Sequence, residues 1–173
     1  MNSKLQLLFD SLQQDRNELI STIKSLSVEK FNYAPVGKWS INQILAHLIT
    51  AERLSVMYIQ KKILGIKEAK DTGLWEDIKF EILKVSQRLP LKFKAPKMVV
   101  ERTPVYTNTN ELLADWDKTG AELEALLEKF DDTQTKKRIY KHFLAGRLNI
   151  QHALMFLSEH IIHHQPQINR LLK

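Results

Sequence analysis

The sequence predicts an all-α protein, a four-helix bundle with one long crossover connection. Three observations carry that prediction. Apolar residues recur at three- and four-residue spacing through most of the chain, the mark of helices with one buried face. Only 5 Gly and 5 Pro occur in 173 residues, too few for a turn-rich β-sandwich. The strongest local signal, at Ser40, is a helix start. With 43% apolar and 27% charged residues, the chain reads as one globular domain, 1–173, whose core needs no metal or disulfide staple.

The first helix is expected over residues 2–26, where Leu5, Leu8, Phe9, Leu12, Leu19, Ile20 and Ile23 share a face. Pro35 and Gly37 mark the stretch 27–38 as a loop. The second helix begins at Ser40: Gln43 stands at the capping-box position, and Trp39 and Ile44 fit the hydrophobic staple. Its pattern runs to about Leu64, with Gly65 placed as a C-cap. A shorter helix follows over 74–89. Residues 90–108, with Pro90, Pro96 and Pro104, read as an extended loop long enough to line a site and to wall an apolar pocket beside it. A further helix is expected over 109–130 behind Asn108 or Thr109, then a basic connector over 131–146. The last helix starts near 147–149 and runs to the C-terminus.

Composition excludes several kinds of function. The chain has no cysteine, so a disulfide framework, a thiolate zinc finger and a cysteine nucleophile are ruled out. No apolar run approaches the roughly 18 residues of a membrane span, and Asp10 interrupts the N-terminal stretch before a signal peptide could form. No membrane partner and a cytoplasmic location are the expectation. The net charge of +6 is scattered over Lys61–Lys62, Lys92/Lys94/Lys97 and Lys136–Lys137–Arg138 with Lys141, and no aromatic ladder accompanies it. That pattern reads as a solvated surface, and no nucleic-acid partner is expected.

The candidate chemistry lies in the histidines. His160 and His164 fall only about 40° apart on the last helix, on the side of Ile150, Leu157, Ile161, Ile168 and Leu171. His47 sits within about 60° of Ile44, Ala51, Leu54 and Tyr58 on the second helix. Three inward imidazoles on two helices can hold one divalent ion, because i and i+4 offer nitrogens from adjacent turns and a facing helix supplies the third. Neutral imidazoles suit zinc, nickel, iron or copper and leave coordination positions open. Spacing alone leaves a second reading open, in which these are hydrogen-bonded core histidines. His152 and His163 are expected on the flank of the last helix.

Two segments give these histidines a family context. Trp39-Ser40-Ile41-Asn42-Gln43-Ile44-Leu45-Ala46-His47-Leu48 and His160-Ile161-Ile162-His163-His164-Gln165-Pro166-Gln167-Ile168 resemble the W-S-x6-H-L and H-x3-H-x2-Q-I motifs of the DinB-like superfamily of four-helix metalloproteins. The segment from Lys141-His142 through Gly146 is also similar to one branch of that family. The resemblance implies a bundle of the DinB-like type with one divalent metal, zinc or nickel foremost, on His47, His160 and His164. It further implies a metal-dependent hydrolase, or a transferase that uses a low-molecular-weight thiol, acting on a small-molecule substrate, and a homodimer. One departure stands out: many relatives carry Arg-Gly where this chain has Gln165-Pro166, and Pro166 is expected to kink the helix.

No carboxylate stands at a diagnostic catalytic spacing. Glu159 turns about 100° away from His160 and reads as a solvated surface acid, and Glu52 lies about 140° from His47. Gln167, about 20° from His160 on the helical wheel, and Tyr58 are the candidates to support the metal ligands or the substrate. Trp39 reads as structural. A non-catalytic metal-binding or structural bundle is the main alternative, and a basic nucleic-acid-binding module a weaker one.

Overall fold

The computed structural model describes residues 1–89 and 97–173. Among these the chain forms seven α-helices and one small hairpin: α1 (Ser3–Ile23), α2 (Val28–Asn32), α3 (Ile41–Ile63), α4 (Leu74–Arg88), α5 (Lys97–Arg102), α6 (Thr109–Leu127), β1 (Tyr140–His142), β2 (Gly146–Leu148) and α7 (Ile150–Leu172). The four long helices α1, α3, α6 and α7 make the bundle. α7 packs between α1 and α3, α6 packs on α3, and α4 lies on the outer side of α7. No helix among the described residues is long and apolar enough to cross a membrane.

Helix boundaries follow their caps. Asn2 accepts from the N–H groups of Lys4 and Leu5, and Asn108 from that of Glu111. At α3 the box predicted from sequence is complete: Gln43 N–H donates to Ser40 Oγ at 3.2 Å, and Ser40 N–H donates to Gln43 Oε1 at 2.9 Å. Gly73 lacks a capping side chain, but its N–H donates back to Glu76 Oε2 at 2.9 Å. α7 is helical through Pro166. Proline removes the hydrogen bond to the Ile162 carbonyl, yet residue 166 is exposed, where water can satisfy that oxygen.

Three short elements depart from the sequence reading. The 27–38 loop contains the single-turn helix α2, capped by Ser27, which buries Phe31. The connection read as extended over 90–108 contains α5, which packs on α3; residues 90–96 lie outside the described residues. The basic connector holds the hairpin, with Tyr140 opposite Leu148 and His142 opposite Gly146. Gly146 takes φ +77°, a conformation that side-chain-bearing residues rarely adopt, and this lets the strand reverse. Thr72 N–H donates to the Lys136 carbonyl at 2.8 Å and Arg138 N–H to the Lys70 carbonyl at 2.9 Å, tying the segment before α4 to the segment before β1.

One buried polar pin crosses α1, α3 and α6, apart from the histidines of α3 and α7. Glu52 is buried on α3 and accepts from Trp116 Nε1 at 2.9 Å, while the Arg16 guanidinium lies over the Trp116 ring at 5.1 Å. Burial pushes the Glu52 carboxyl above the ordinary carboxylate range, against the lowering effect of the Trp116 hydrogen bond and of Arg16 and Arg53. A Cβ at Gly120 would meet Arg16 Nη1 at 2.8 Å, so glycine there leaves room for the guanidinium where it lies over Trp116. Glu52 thus faces away from His47, as its angle on α3 predicts.

Loss of the Ser40 hydroxyl leaves the N–H of Gln43 unpaired at a buried helix start. Ser40→Ala is expected to lower unfolding free energy by about 1 kcal/mol, read as a lower denaturant midpoint with an unchanged slope.

Candidate metal centre

The amphipathic face of α3 that buries Ile44, Leu48 and Ile59 also carries His47 inward, and the face of α7 that buries Leu157, Ile161 and Ile168 carries His160 and His164. The crossing of α3 and α7 therefore brings the three imidazoles together. His47 Nε2 lies 3.1 Å from His160 Nε2, and His164 Nε2 lies 3.2 Å from the same atom. The three ligand atoms all fall within 4.8 Å of one another, and all three residues are buried.

This arrangement fits one metal ion better than it fits a hydrogen-bonded core. Two nitrogens bound at about 2.0–2.1 Å to one ion at near-tetrahedral angles stand about 3.3–3.4 Å apart, close to the spacing found here. Without an ion, one Nε2 would have to serve two neighbouring Nε2 atoms at once. His164 Nδ1 stands 3.0 Å from Gln167 Oε1, an acceptor, so the ring carries its proton on Nδ1 and turns the Nε2 lone pair toward the centre. His47 Nδ1 is buried with no hydrogen-bond partner, so nothing on that side competes for the ring.

Electrostatics keep the rings neutral. Burial pushes His47 and His164 down to about 4, and it holds His160 well below the ordinary imidazole range, with neighbouring histidines adding to the effect. Deprotonated nitrogens are what a metal needs.

Aromatic rings close the site. The Trp39 ring lies 5.2 Å from that of His47, so the staple residue also shields a candidate ligand. Phe156 stacks on His160 at 5.4 Å and meets His142 at 4.5 Å on its other neighbour. His142 is buried, with Nδ1 accepting from the N–H groups of Leu144 and Ala145 at 3.3 Å each, which places its proton on Nε2. Sequence reasoning names His142 only within the segment similar to one branch of the family and gives it no role, because the hairpin that buries it is too short to show a pattern.

Two expectations need correction. Glu159 is buried and held by Arg88 of α4 through two hydrogen bonds of 2.8 and 2.7 Å, where a solvated acid was expected. The flank it occupies is the α4–α7 interface. His152, expected on the same flank, is likewise buried, stacked on Phe80 at 4.7 Å and 3.2 Å from Asp77. His163 donates from Nδ1 to the Gln87 carbonyl of α4 at 2.5 Å. Tyr58 lies three turns beyond His47, roughly 16 Å along α3, with the Lys62 ammonium 5.8 Å above its ring. It is therefore out of hydrogen-bonding reach of the cluster, whereas Gln167 touches it directly.

Fold and site together define a helical-bundle protein with a buried three-histidine centre that can hold a metal ion. The chain belongs to the DinB superfamily, whose family model matches residues 11–168 and so spans all three histidines. No curated protein and no solved structure matches it.

Two outcomes follow from this geometry. Gln167→Ala removes the acceptor that fixes the His164 tautomer, and metal affinity should fall about 10- to 100-fold, measured by competition with a chromophoric chelator. In chelator-stripped protein the unfolded histidines bind protons near pH 6.5, while folded His47, His142 and His164 refuse them down to about 4. Stability is then fully present above about pH 6.5 and is lost progressively as pH falls toward 4. Thermal melting at pH 7.5 and pH 5.0 checks the sign; equal melting temperatures would contradict buried neutral rings.

Proposed function

We propose that the protein is a small metal-dependent enzyme acting on a small molecule, either a hydrolase or a transferase that activates an external low-molecular-weight thiol. The observation that supports this reading is the convergence of three neutral nitrogens with no carboxylate among them. A divalent ion bound there keeps its full positive charge and open positions, so it polarises a substrate oxygen and lowers the pKa of water or a thiol that reaches it. Zinc or nickel suits an all-imidazole set.

The chain's own residues hold and isolate that chemistry. Gln167 fixes His164, and Trp39 and Phe156 exclude water from the rings of His47 and His160. Glu159 is engaged by Arg88 on the far side of α7, which removes the adjacent acid as a general base. A thiol, if used, comes from outside, since the chain has no cysteine. A cytoplasmic location belongs to the same proposal.

Elemental analysis of untagged protein, purified without added metal, tests it beside a His160→Ala/His164→Ala double variant. About one zinc or nickel per chain is expected, and none in the variant. Turnover of ester, amide or electrophilic substrates, with and without a small thiol, should vanish on chelation and return with the metal. A folded protein that neither contains nor takes up metal would overturn the reading. Full metal content with no turnover in either substrate class would leave a non-catalytic metal-binding bundle instead.

A further inference from the structure

The hairpin before α7 buries a hydrogen-bond donor that the protein itself leaves unused. In β1, Tyr140 and His142 turn inward and Lys141 outward, and Arg147 is exposed opposite Lys141. Tyr140 reaches α3, its hydroxyl 3.2 Å from Ser55 Oγ. His142, two residues on, reaches α7, where its ring lies 4.5 Å from that of Phe156. Phe156 stands one turn before His160 and stacks on it. His142 is only 3% exposed, and it lies close enough to His160 to oppose that ring's protonation.

Only one edge of the His142 ring is engaged. Nδ1 accepts from the N–H groups of Leu144 and Ala145, so the proton sits on Nε2. Nε2 is buried and has no hydrogen-bond partner. The two nitrogens stand on opposite edges of an imidazole. With Nδ1 given to the hairpin's own turn, the Nε2–H is directed away from that turn and into the interior. A buried N–H without an acceptor is rare and costly in a folded chain. The face of Phe156 offers it a weak acceptor at best.

We propose that His142 is the hydrogen-bond donor for substrate at the histidine centre, its Nε2–H meeting a carbonyl oxygen of the small molecule bound there. Charge selects that class of substrate. The donor is neutral, the rings of Phe143 and Phe156 lie against it, and the hairpin's cations Lys141 and Arg147 are exposed. A carboxylate or phosphate calls for a cation at this place. An uncharged carbonyl needs one fixed donor, whose bond strengthens as the oxygen gains negative charge while the proton stays on Nε2. Because two backbone groups already hold the ring, little freedom is lost when substrate arrives. The inference rests on the metal-dependent reading above and narrows it to acyl compounds.

The two edges of the imidazole can be replaced separately. An asparagine amide oxygen takes the place of Nδ1, but its side chain stops short of Nε2. A glutamine amide N–H reaches the Nε2 position. His142→Asn therefore keeps the acceptor for the turn and removes the donor, and His142→Gln does the reverse. The probe is acetohydroxamate, which carries a carbonyl oxygen and ligates divalent metals, added to protein loaded with cobalt(II) and followed by visible absorption. Both variants should take up about one cobalt per chain, as the wild type does, since no metal ligand is changed. His142→Asn should weaken acetohydroxamate binding at least ~10-fold, and His142→Gln by less than about threefold. The opposite order is what a residue that only holds the hairpin turn would give, and it overturns the proposal. Equal affinity in all three proteins, as for a ring that merely packs on Phe156 or holds a water, overturns it too. Should either variant lose native circular dichroism, the other still decides: a tenfold loss with glutamine, or none with asparagine, overturns the proposal. These outcomes leave the metal centre standing. A wild type that takes up no cobalt removes the metal-dependent reading and this one with it; one that loads cobalt but binds no acetohydroxamate removes this one alone.

Discussion

An imidazole that is to offer a lone pair at neutral pH must be kept unprotonated, and this fold does so by burial. The three rings sit where α3 crosses α7, among Trp39, Phe156 and the apolar faces of both helices. That placement is costly for a bare core, since three Nε2 atoms meet with too few protons to satisfy one another. The surrounding structure answers the cost on one side only: Gln167 takes the outer proton of His164, and the inner nitrogens are left facing the centre. Much of the architecture around α7 follows from having to hold polar groups at depth without letting them turn.

α4 carries much of that burden. It supplies Gln87 to His163, Arg88 to Glu159, and Asp77 and Phe80 to His152, so three polar residues of α7 outside the cluster are each fixed from the same neighbour. The arrangement separates two roles that adjacent residues on one helix might otherwise confuse. Histidines on one face of α7 converge on the centre, and those a quarter-turn away serve packing against α4. Glu159, next in sequence to His160, is kept out of the centre by the guanidinium that claims it.

The long helices and the histidine cluster were legible in the sequence because both obey helical periodicity. His160 and His164 needed only the i, i+4 rule, and His47 only its position relative to Ile44 and Ala51. The capping box at Ser40 was read from the spacing of Ser40 and Gln43, and both of its hydrogen bonds form. Other features were hidden for physical reasons. A helical wheel gives angle but not height, which is why Tyr58 looked close to His47 and lies three turns away. It also cannot say what covers a flank, so Glu159 looked exposed until α4 was in place. The hairpin at 140–148, α2 and α5 are only three to six residues per element, too short for any period to emerge.

The separation along the chain between His47 and His160, 113 positions, has a topological consequence. Anything that binds both at once closes a loop embracing most of the polypeptide, and α4, α5, α6 and the hairpin all lie within it. Closure of so long a loop removes much freedom from an unfolded chain, so a ligand bridging these residues behaves as a reversible cross-link. His160 and His164, by contrast, are one turn apart and close almost no loop. Two of the three ligands would thus grip the ion locally, while the third couples that grip to the integrity of the whole fold. The contact made by His47 is where binding at a point becomes a constraint on the entire molecule.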